Sequence, residues 1–190
     1  MQSRPAATTV RRHARTARLW PMFESMVGAE RPVQLTLYTD AYVARGTIGT
    51  RQRRVSDILN SAEEGFIVLA DVTLEEFGNR SQRLTAPFAQ INLAAVLFAV
   101  ADTPVEPVPE LRTPKVPESA LITIPPFKVT GRIHLMPGRD LREALSELIG
   151  RFLPVTEAAF WSDTVGEART TATMVAVNHQ RAQILMPYEG

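Results

Sequence analysis

The sequence predicts a β-rich α+β protein made of tandem duplicated, antiparallel, small-barrel-like repeats, each with one short helix, and an N-terminal helical arm. The main observation is a pattern of residue classes that occurs twice. Gly46 and Gly131 lie 85 residues apart, whereas Phe66 and Phe152 lie 86 apart. The same offset of 86 relates Leu59 to Leu145 and Asn92 to Asn178. Because the agreement holds over about fifty positions, it indicates an internal duplication.

Two further observations predict the β-rich, antiparallel fold class. Val33, Leu35 and Leu37 alternate with polar residues, which is typical of a half-buried strand. The connections between the predicted strands are short, and short connections favour antiparallel sheets.

Composition limits the possible functions of the 190-residue chain. It is 45% hydrophobic and 22% charged, as globular proteins usually are. The absence of cysteine excludes disulfides, thiolate nucleophiles and cysteine-ligated zinc, and it fits a reducing cytoplasm. The longest apolar run, residues 91–100, is shorter than a membrane-spanning helix and contains Asn92. We therefore expect a cytoplasmic protein with no secretory signal and no membrane span.

Residues 1–31 are predicted to form a basic helical arm. Six arginines against two glutamates give the arm four net positive charges, although the whole chain carries +1. Thr8 or Thr9 is a candidate cap for a helix over residues 10–20. An apolar patch follows at residues 22–27. The sequence leaves open whether the arm binds an anionic partner or packs on the body through this patch.

Repeat A covers residues 32–102. A hairpin is predicted from strands at residues 33–38 and 42–49, and Gly46 indicates a bulge or bend, as in a sheet that curls toward a barrel. A short helix follows at residues 54–60. Further strands are predicted at residues 66–74, 87–91 and 95–100, with a polar loop over residues 75–86.

A proline-rich linker over residues 103–119 separates the repeats and favours an extended polyproline conformation. Repeat B covers residues 120–190 and has the same order of elements. Asp140 and Glu143 predict a capping box for a helix whose apolar face extends to Ile149. Its strands are predicted at residues 121–124, 127–135, 152–161, 169–177 and 182–186. Phe66 and Phe152, which open the third strand of each repeat, are both expected in the core.

The sequence contains no catalytic or metal-binding motif. His13, His134 and His179 are scattered, and neither an HExxH pair nor a glycine-rich phosphate loop occurs. Asp71 and Glu157 occupy matching positions in the two repeats. They are either an acid–base pair or residues that end the pairing of their strands, and the second interpretation is favoured. We therefore expect a protein that is not an enzyme, with no catalytic residues, no metal and no cofactor.

The candidate residues for binding nucleic acid or a protein partner are arginines. Four lie in the arm and three in the connector before the first helix: Arg11, Arg12, Arg15, Arg18, Arg51, Arg53 and Arg54. Repeat B places Arg139 and Arg142 near its own helix. Such a cluster predicts a basic surface, although few aromatic side chains lie among the arginines for stacking on bases.

Some segments resemble known bacterial domains. Residues 46–48, 53–60 and 66–71, together with residues 152–157 in repeat B, are similar to bacterial domains of unknown function with short barrel-like folds. This resemblance implies a duplicated small-barrel unit and no particular activity. The bent hairpin and the asparagine turn are also similar in outline to Sm-like small barrels. The helix, however, is predicted between the second and third strands rather than before the first.

The sequence supports two hypotheses from different classes. The first is a non-catalytic structural or adaptor protein that assembles with itself or with a larger complex through its β-rich body and basic arm. The second is an Sm-like nucleic-acid-binding protein that uses the arginine-rich arm and connector. Binding across a salt series distinguishes them, because several phosphate contacts give a steep salt dependence.

Overall fold

Ten antiparallel strands and two short helices form the computed structural model, which describes residues 30–62, 64–77, 79–102 and 114–189. The elements are β1 (Arg31–Tyr38), β2 (Tyr42–Thr50), α1 (Val55–Asn60), β3 (Phe66–Glu76), β4 (Asn79–Asn92), β5 (Phe98–Ala101), β6 (Val116–Ile124), β7 (Phe127–Leu135), α2 (Leu141–Ser146), β8 (Phe152–Ser162), β9 (Glu167–Asn178) and β10 (Ile184–Pro187). The prediction of a β-rich antiparallel protein is confirmed. Residues 1–29 of the predicted helical arm lie outside the described residues, and Arg31, predicted as its last residue, begins β1.

The strands form one sheet in the order β10-β6-β7-β8-β9-β5-β1-β2-β3-β4. Over the described residues the sheet is not closed, because β10 and β4 each have a neighbour on one side only. The expected picture of two barrel-like units is therefore corrected to a single open sheet. The reason lies in β5, which pairs with β9 on one side and β1 on the other, so the sheet continues instead of closing on β4.

Two glycines produce the predicted bends. The pairing of β2 with β3 shifts register at Gly46, and that of β7 with β8 shifts at Gly131. A Cβ atom would lie 2.9 Å from the β3 backbone at Gly46 and 2.6 Å from a β8 side chain at Gly131. Asp71 and Glu157, on the facing strands, have positive φ angles of 52° and 48°. Only glycine permits this close approach of the strands.

Helix α2 begins where its sequence signal predicts but ends early, whereas α1 ends at Asn60 as predicted. Asp140 accepts a hydrogen bond from the Glu143 backbone N–H at 2.8 Å, so the predicted capping box is confirmed. However, α2 ends at Ser146, and Ile149, expected on its apolar face, is 98% exposed. Neither helix among the described residues is long and apolar enough to cross a membrane.

Most of the predicted loop and the last four residues of the predicted linker belong to strands. The polar loop expected over residues 75–86 is wrong, since β3 extends to Glu76 and β4 pairs with it from Asn79 onward. Polar residues are tolerated there because β4 is an edge strand. In addition, β6 begins at Val116, inside the segment predicted as linker.

The first half, β1–β5, and the second half, β6–β10, have matching element bounds. The starts of β1 and β2 differ from those of β6 and β7 by 85 residues. Both bounds of α1, β3 and β5 differ from those of α2, β8 and β10 by 86. Residues related by these offsets are called counterparts below. β4 and β9 end at the counterparts Asn92 and Asn178.

The two halves meet where β5 pairs with β9, with Phe98 opposite Val177, Ala99 opposite Ala176 and Val100 opposite Val175. Asn178, at the end of β9, donates its backbone N–H to the carbonyl oxygen of Leu97 at 2.8 Å. Its side-chain Nδ2 donates to the carbonyl oxygen of Val96 at 2.9 Å. We call this contact between the halves the internal junction.

Each half buries an aromatic ring in the core of the other. Phe152, only 2% exposed, packs in the first half's core beside Ile58 and Leu59 of α1. The Asn60 side chain holds it there, because Nδ2 donates to the Phe152 carbonyl at 2.9 Å and Oδ1 accepts from the Phe152 N–H at 2.8 Å. In return, Phe98 packs in the second half's core, where its ring centroid lies 5.0 Å from that of Phe160.

Candidate interaction surface

The β4 end of the sheet exposes large apolar side chains. Phe66 and Val68 alternate with buried residues along β3 and are 43% and 56% exposed. Phe88 of β4, whose pairing partner is Ala70, is 66% exposed. We call Phe66, Val68 and Phe88 the β3–β4 face. The prediction that Phe66 lies in the core is wrong, because no described element covers it as α1 covers Phe152.

Among the described strands, β4 is the sheet edge next to this face. A long edge strand presents backbone donors and acceptors to any extended segment that can pair with them. Pro87 lies within β4, as proline does on edge strands, and the pairing omits the position opposite it. A backbone edge beside an exposed apolar face is an arrangement that suits protein association.

The opposite end of the sheet also carries exposed apolar residues. Ile184 and Met186 of β10 are largely solvent-exposed. Elsewhere in the second half, α2 lies over a groove of about 240 Å³. Leu145 and Leu148 line that groove and are only half-buried. Both ends of the sheet therefore leave apolar surface open.

A polar cavity of about 320 Å³ lies at the bulge of the first half. The buried carboxylate of Glu75 lies 3.0 Å from the Arg45 guanidinium and 2.6 Å from that of Arg83. The hydrogen bond from Arg45 lowers the pKa of Glu75, the bond from Arg83 lowers it further, and burial partly opposes both. Glu75 therefore stays ionised at neutral pH and joins β2, β3 and β4, which is a structural task rather than that of a proton donor.

The predicted arginine surface is only partly described. Arg11, Arg12, Arg15 and Arg18 lie outside the described residues. Arg51, Arg53 and Arg54 are exposed in the connector before α1. The Nε of Arg51 lies 3.9 Å from a carboxylate oxygen of Glu30, and Arg54 is the N-cap residue of α1 without a capping side chain. In the second half, Arg139 lies 2.7 Å from Glu147. Binding by these arginines stays a prediction.

The histidines and paired carboxylates are not brought together. His134 bonds to the Thr156 hydroxyl at 2.7 Å, and His179 bonds to the Gly150 carbonyl at 2.9 Å. Asp71 is exposed at its bulge, whereas the Glu157 carboxylate lies 3.2 Å from Arg132. Within the described ranges, no group of three or more histidine, aspartate or glutamate side chains could hold a metal ion.

Sequence reasoning missed the β3–β4 face. The sequence predicted a strand over residues 66–74 with Phe66 in the core, and nothing local showed that this side of the strand would be left open. Pro87 was the available signal, because proline within a strand marks an edge. No protein-family model, no curated protein and no solved structure matches the chain. The resemblances to bacterial domains and to Sm-like barrels therefore stay predictions.

Proposed function

We propose that this protein is a non-catalytic structural or adaptor protein of the cytoplasm that assembles with itself or with a larger complex. The observation that carries the proposal is the β3–β4 face, which places three exposed apolar side chains beside β4, the sheet edge among the described strands. Such a face costs solubility in a protein that works alone. It is retained at low cost where a partner covers it.

The energetics indicate how a partner binds. Burying the exposed part of three side chains that are each about half in water contributes roughly 3 kcal/mol. Even before the entropy cost of association is subtracted, this burial energy alone corresponds to a dissociation constant above about 1 mM. Useful affinity therefore requires backbone pairing along β4 in addition to the apolar face. A partner with its own free strand supplies both contacts.

The basic arm adds charge complementarity. Residues 1–31 carry four net positive charges, so the rest of the chain carries three net negative charges. The arm of one molecule is therefore attracted to the body of another. Deleting residues 1–19 is expected to weaken assembly at low salt and to leave the melting temperature of the body unchanged. A loss of stability with full retention of assembly would show that the arm is structural.

We also infer that the two halves arose as tandem copies of one unit of five antiparallel strands and one short helix. The matching bounds of β3 and β8, of α1 and α2, and of β5 and β10 support this inference. So do the bulges at Gly46 and Gly131, each facing a carboxylate residue with positive φ. Because strand edges of the two units already pair within one chain, similar edges are suited to pair between chains.

Photo-crosslinking in intact cells tests the assembly proposal. In one variant a photoreactive amino acid replaces Phe88. In the control it replaces Lys128, a half-exposed residue of β7. We expect adducts from position 88 and few from position 128. Mass spectrometry then identifies the adduct as this chain or as another protein. No adduct at position 88 would contradict the proposal.

A nucleic-acid-binding function is the alternative, and the three exposed connector arginines favour it. If it is correct, replacing Arg51, Arg53 and Arg54 by glutamine flattens the dependence of binding on salt, since each lost phosphate contact reduces the slope. A chain that shows no salt-dependent binding to single-stranded or double-stranded nucleic acid would remove this alternative.

A further inference from the structure

The two strands of the internal junction have counterparts at the two free ends of the sheet. This junction joins β5 of the first half to β9 of the second. The counterpart of β5 is β10, and the counterpart of β9 is β4. Among the described strands, β10 and β4 are the two free ends of the sheet. The two ends therefore carry the two sides of a contact that the chain already makes once within itself.

The side chains at the free ends follow the same relation. Phe152 is buried in the internal junction, whereas its counterpart Phe66 is 43% exposed. Phe98 is fully buried there, whereas its counterpart Ile184 is 53% exposed. Each free end therefore leaves in water an apolar residue that the junction covers in the other half.

The helices add an independent observation. Leu59 of α1 is buried because β8 and β9 of the other half pack against that helix. Its counterpart Leu145 of α2 is half-buried and lines the groove under α2. The position that α1 buries against the other half is therefore only half-buried in α2.

We propose that copies of this chain assemble head to tail, with β4 of one molecule pairing antiparallel with β10 of the next. The inference rests on the proposed function and names its partner as a second copy. The register follows from the internal junction: Ile91 lies opposite Ile184, Gln90 opposite Leu185 and Ala89 opposite Met186. Phe66 of one molecule then packs under α2 of its neighbour, as Phe152 packs under α1.

The register avoids the proline of the edge strand. Pro87 lies outside the three paired positions, so its missing N–H removes no hydrogen bond from the junction. Because the two surfaces differ, the contact is heterologous, and it produces a ring if the rotation closes or a filament if it does not.

The junction between molecules is weaker than the internal one. Ile184 replaces the aromatic ring of Phe98, and Gln90 replaces the buried Ala176. The association of separate molecules also costs translational and rotational entropy that the internal junction does not. Assembly is therefore reversible and depends on protein concentration.

Charged substitutions at the two ends test the proposal on the full chain. Phe88→Glu alters the β4 end, since its counterpart Met174 packs at the internal junction, and Ile184→Glu alters the β10 end. Leu84→Glu is the matched control. Leu84 is an equally exposed β4 residue, and its counterpart Thr170 stays exposed despite the internal junction. Light scattering across a concentration series measures particle mass, and circular dichroism checks folding.

We expect the parent chain and Leu84→Glu to form the same large particle, and each end variant alone to fall to the mass of one chain. Mixing the two end variants should give a particle of two chains, because one intact β10 end and one intact β4 end remain. If Ile184→Glu assembles like the parent while Phe88→Glu does not, β4 pairs with itself. The inference then fails, but the proposed function stands. A parent chain that is monomeric at every concentration and crosslinks only to other proteins also overturns the inference alone.

The absence of cysteine permits a test of the register. The hydrogen bond between Asn178 and Leu97 makes the next pair, Val177 and Phe98, a non-hydrogen-bonded pair with close Cα atoms. The corresponding positions between molecules are 91 and 184. Cysteines placed there by Ile91→Cys and Ile184→Cys should form disulfide-linked multimers under mild oxidation. The control pair Leu84→Cys and Ile184→Cys should not, and equal linking in both variants would contradict the register.

Discussion

The stability cost of truncating Phe152 and Phe66 is the most direct test of the fold. Both residues open the strand that follows a helix, yet Phe152 is 2% exposed and Phe66 is 43% exposed. Replacing Phe152 by alanine leaves a closed cavity beside α1, which is expected to cost about 3–5 kcal/mol of unfolding free energy. The same change at Phe66 removes a ring already about half in water and leaves an open surface, so about 1–2 kcal/mol is expected.

Urea denaturation at low protein concentration measures both costs in the separated molecule. Raising the concentration should increase the cost of Phe66→Ala, because assembly buries the ring, and should leave that of Phe152→Ala unchanged. Equal costs at low concentration would refute the assignment of Phe66 to an open face. A cost for Phe152 below that for Phe66 would also refute the packing at the internal junction.

Three further predictions concern single contacts. Glu75→Gln is expected to cost about 1–2 kcal/mol at neutral pH, reduced by the exposure of the two arginines. Because the folded pKa of Glu75 lies below its ordinary value of 4.5, this stabilisation is present above 4.5 and is lost as the pH falls through the folded pKa. Gly46→Ala is expected to cost about 1–3 kcal/mol, because its Cβ would lie 2.9 Å from the β3 backbone. Asn60→Ala is expected to cost about 1–3 kcal/mol, because it leaves the backbone N–H and carbonyl of Phe152 without partners.

Each of these predictions has its own measurement. Thermal melts of the parent and Glu75→Gln should differ most at neutral pH and converge in acid, and a constant difference would contradict the ion-pair account. Gly49→Ala is the control for Gly46→Ala, since the nearest atom to its Cβ lies 3.6 Å away, and it should be close to neutral in urea denaturation. For Asn60→Ala, hydrogen exchange should show faster exchange of the Phe152 amide, and unchanged protection would contradict the assigned bond.

Local sequence determines the individual elements of this protein. Alternation predicts β1, glycine predicts the two bulges, and Asp140 with Glu143 predicts the start of α2, because each signal depends on neighbouring residues alone. The polar edge strand β4 was missed for a physical reason. Half-exposed strands on a sheet edge tolerate the polar residues that also fill loops, so composition does not separate the two.

The candidate surface depends on tertiary structure. Phe66 and Phe152 occupy the same place in their halves, and no local pattern shows which of them will be covered. Burial is decided by the pairing of β5 with β9, which brings α1 over Phe152 and leaves Phe66 at an open end of the sheet. Sequence alone determined that each half forms a bent antiparallel unit with one short helix. Only the tertiary structure decided which edges meet, because residues far apart in the chain must pack together before either edge is covered.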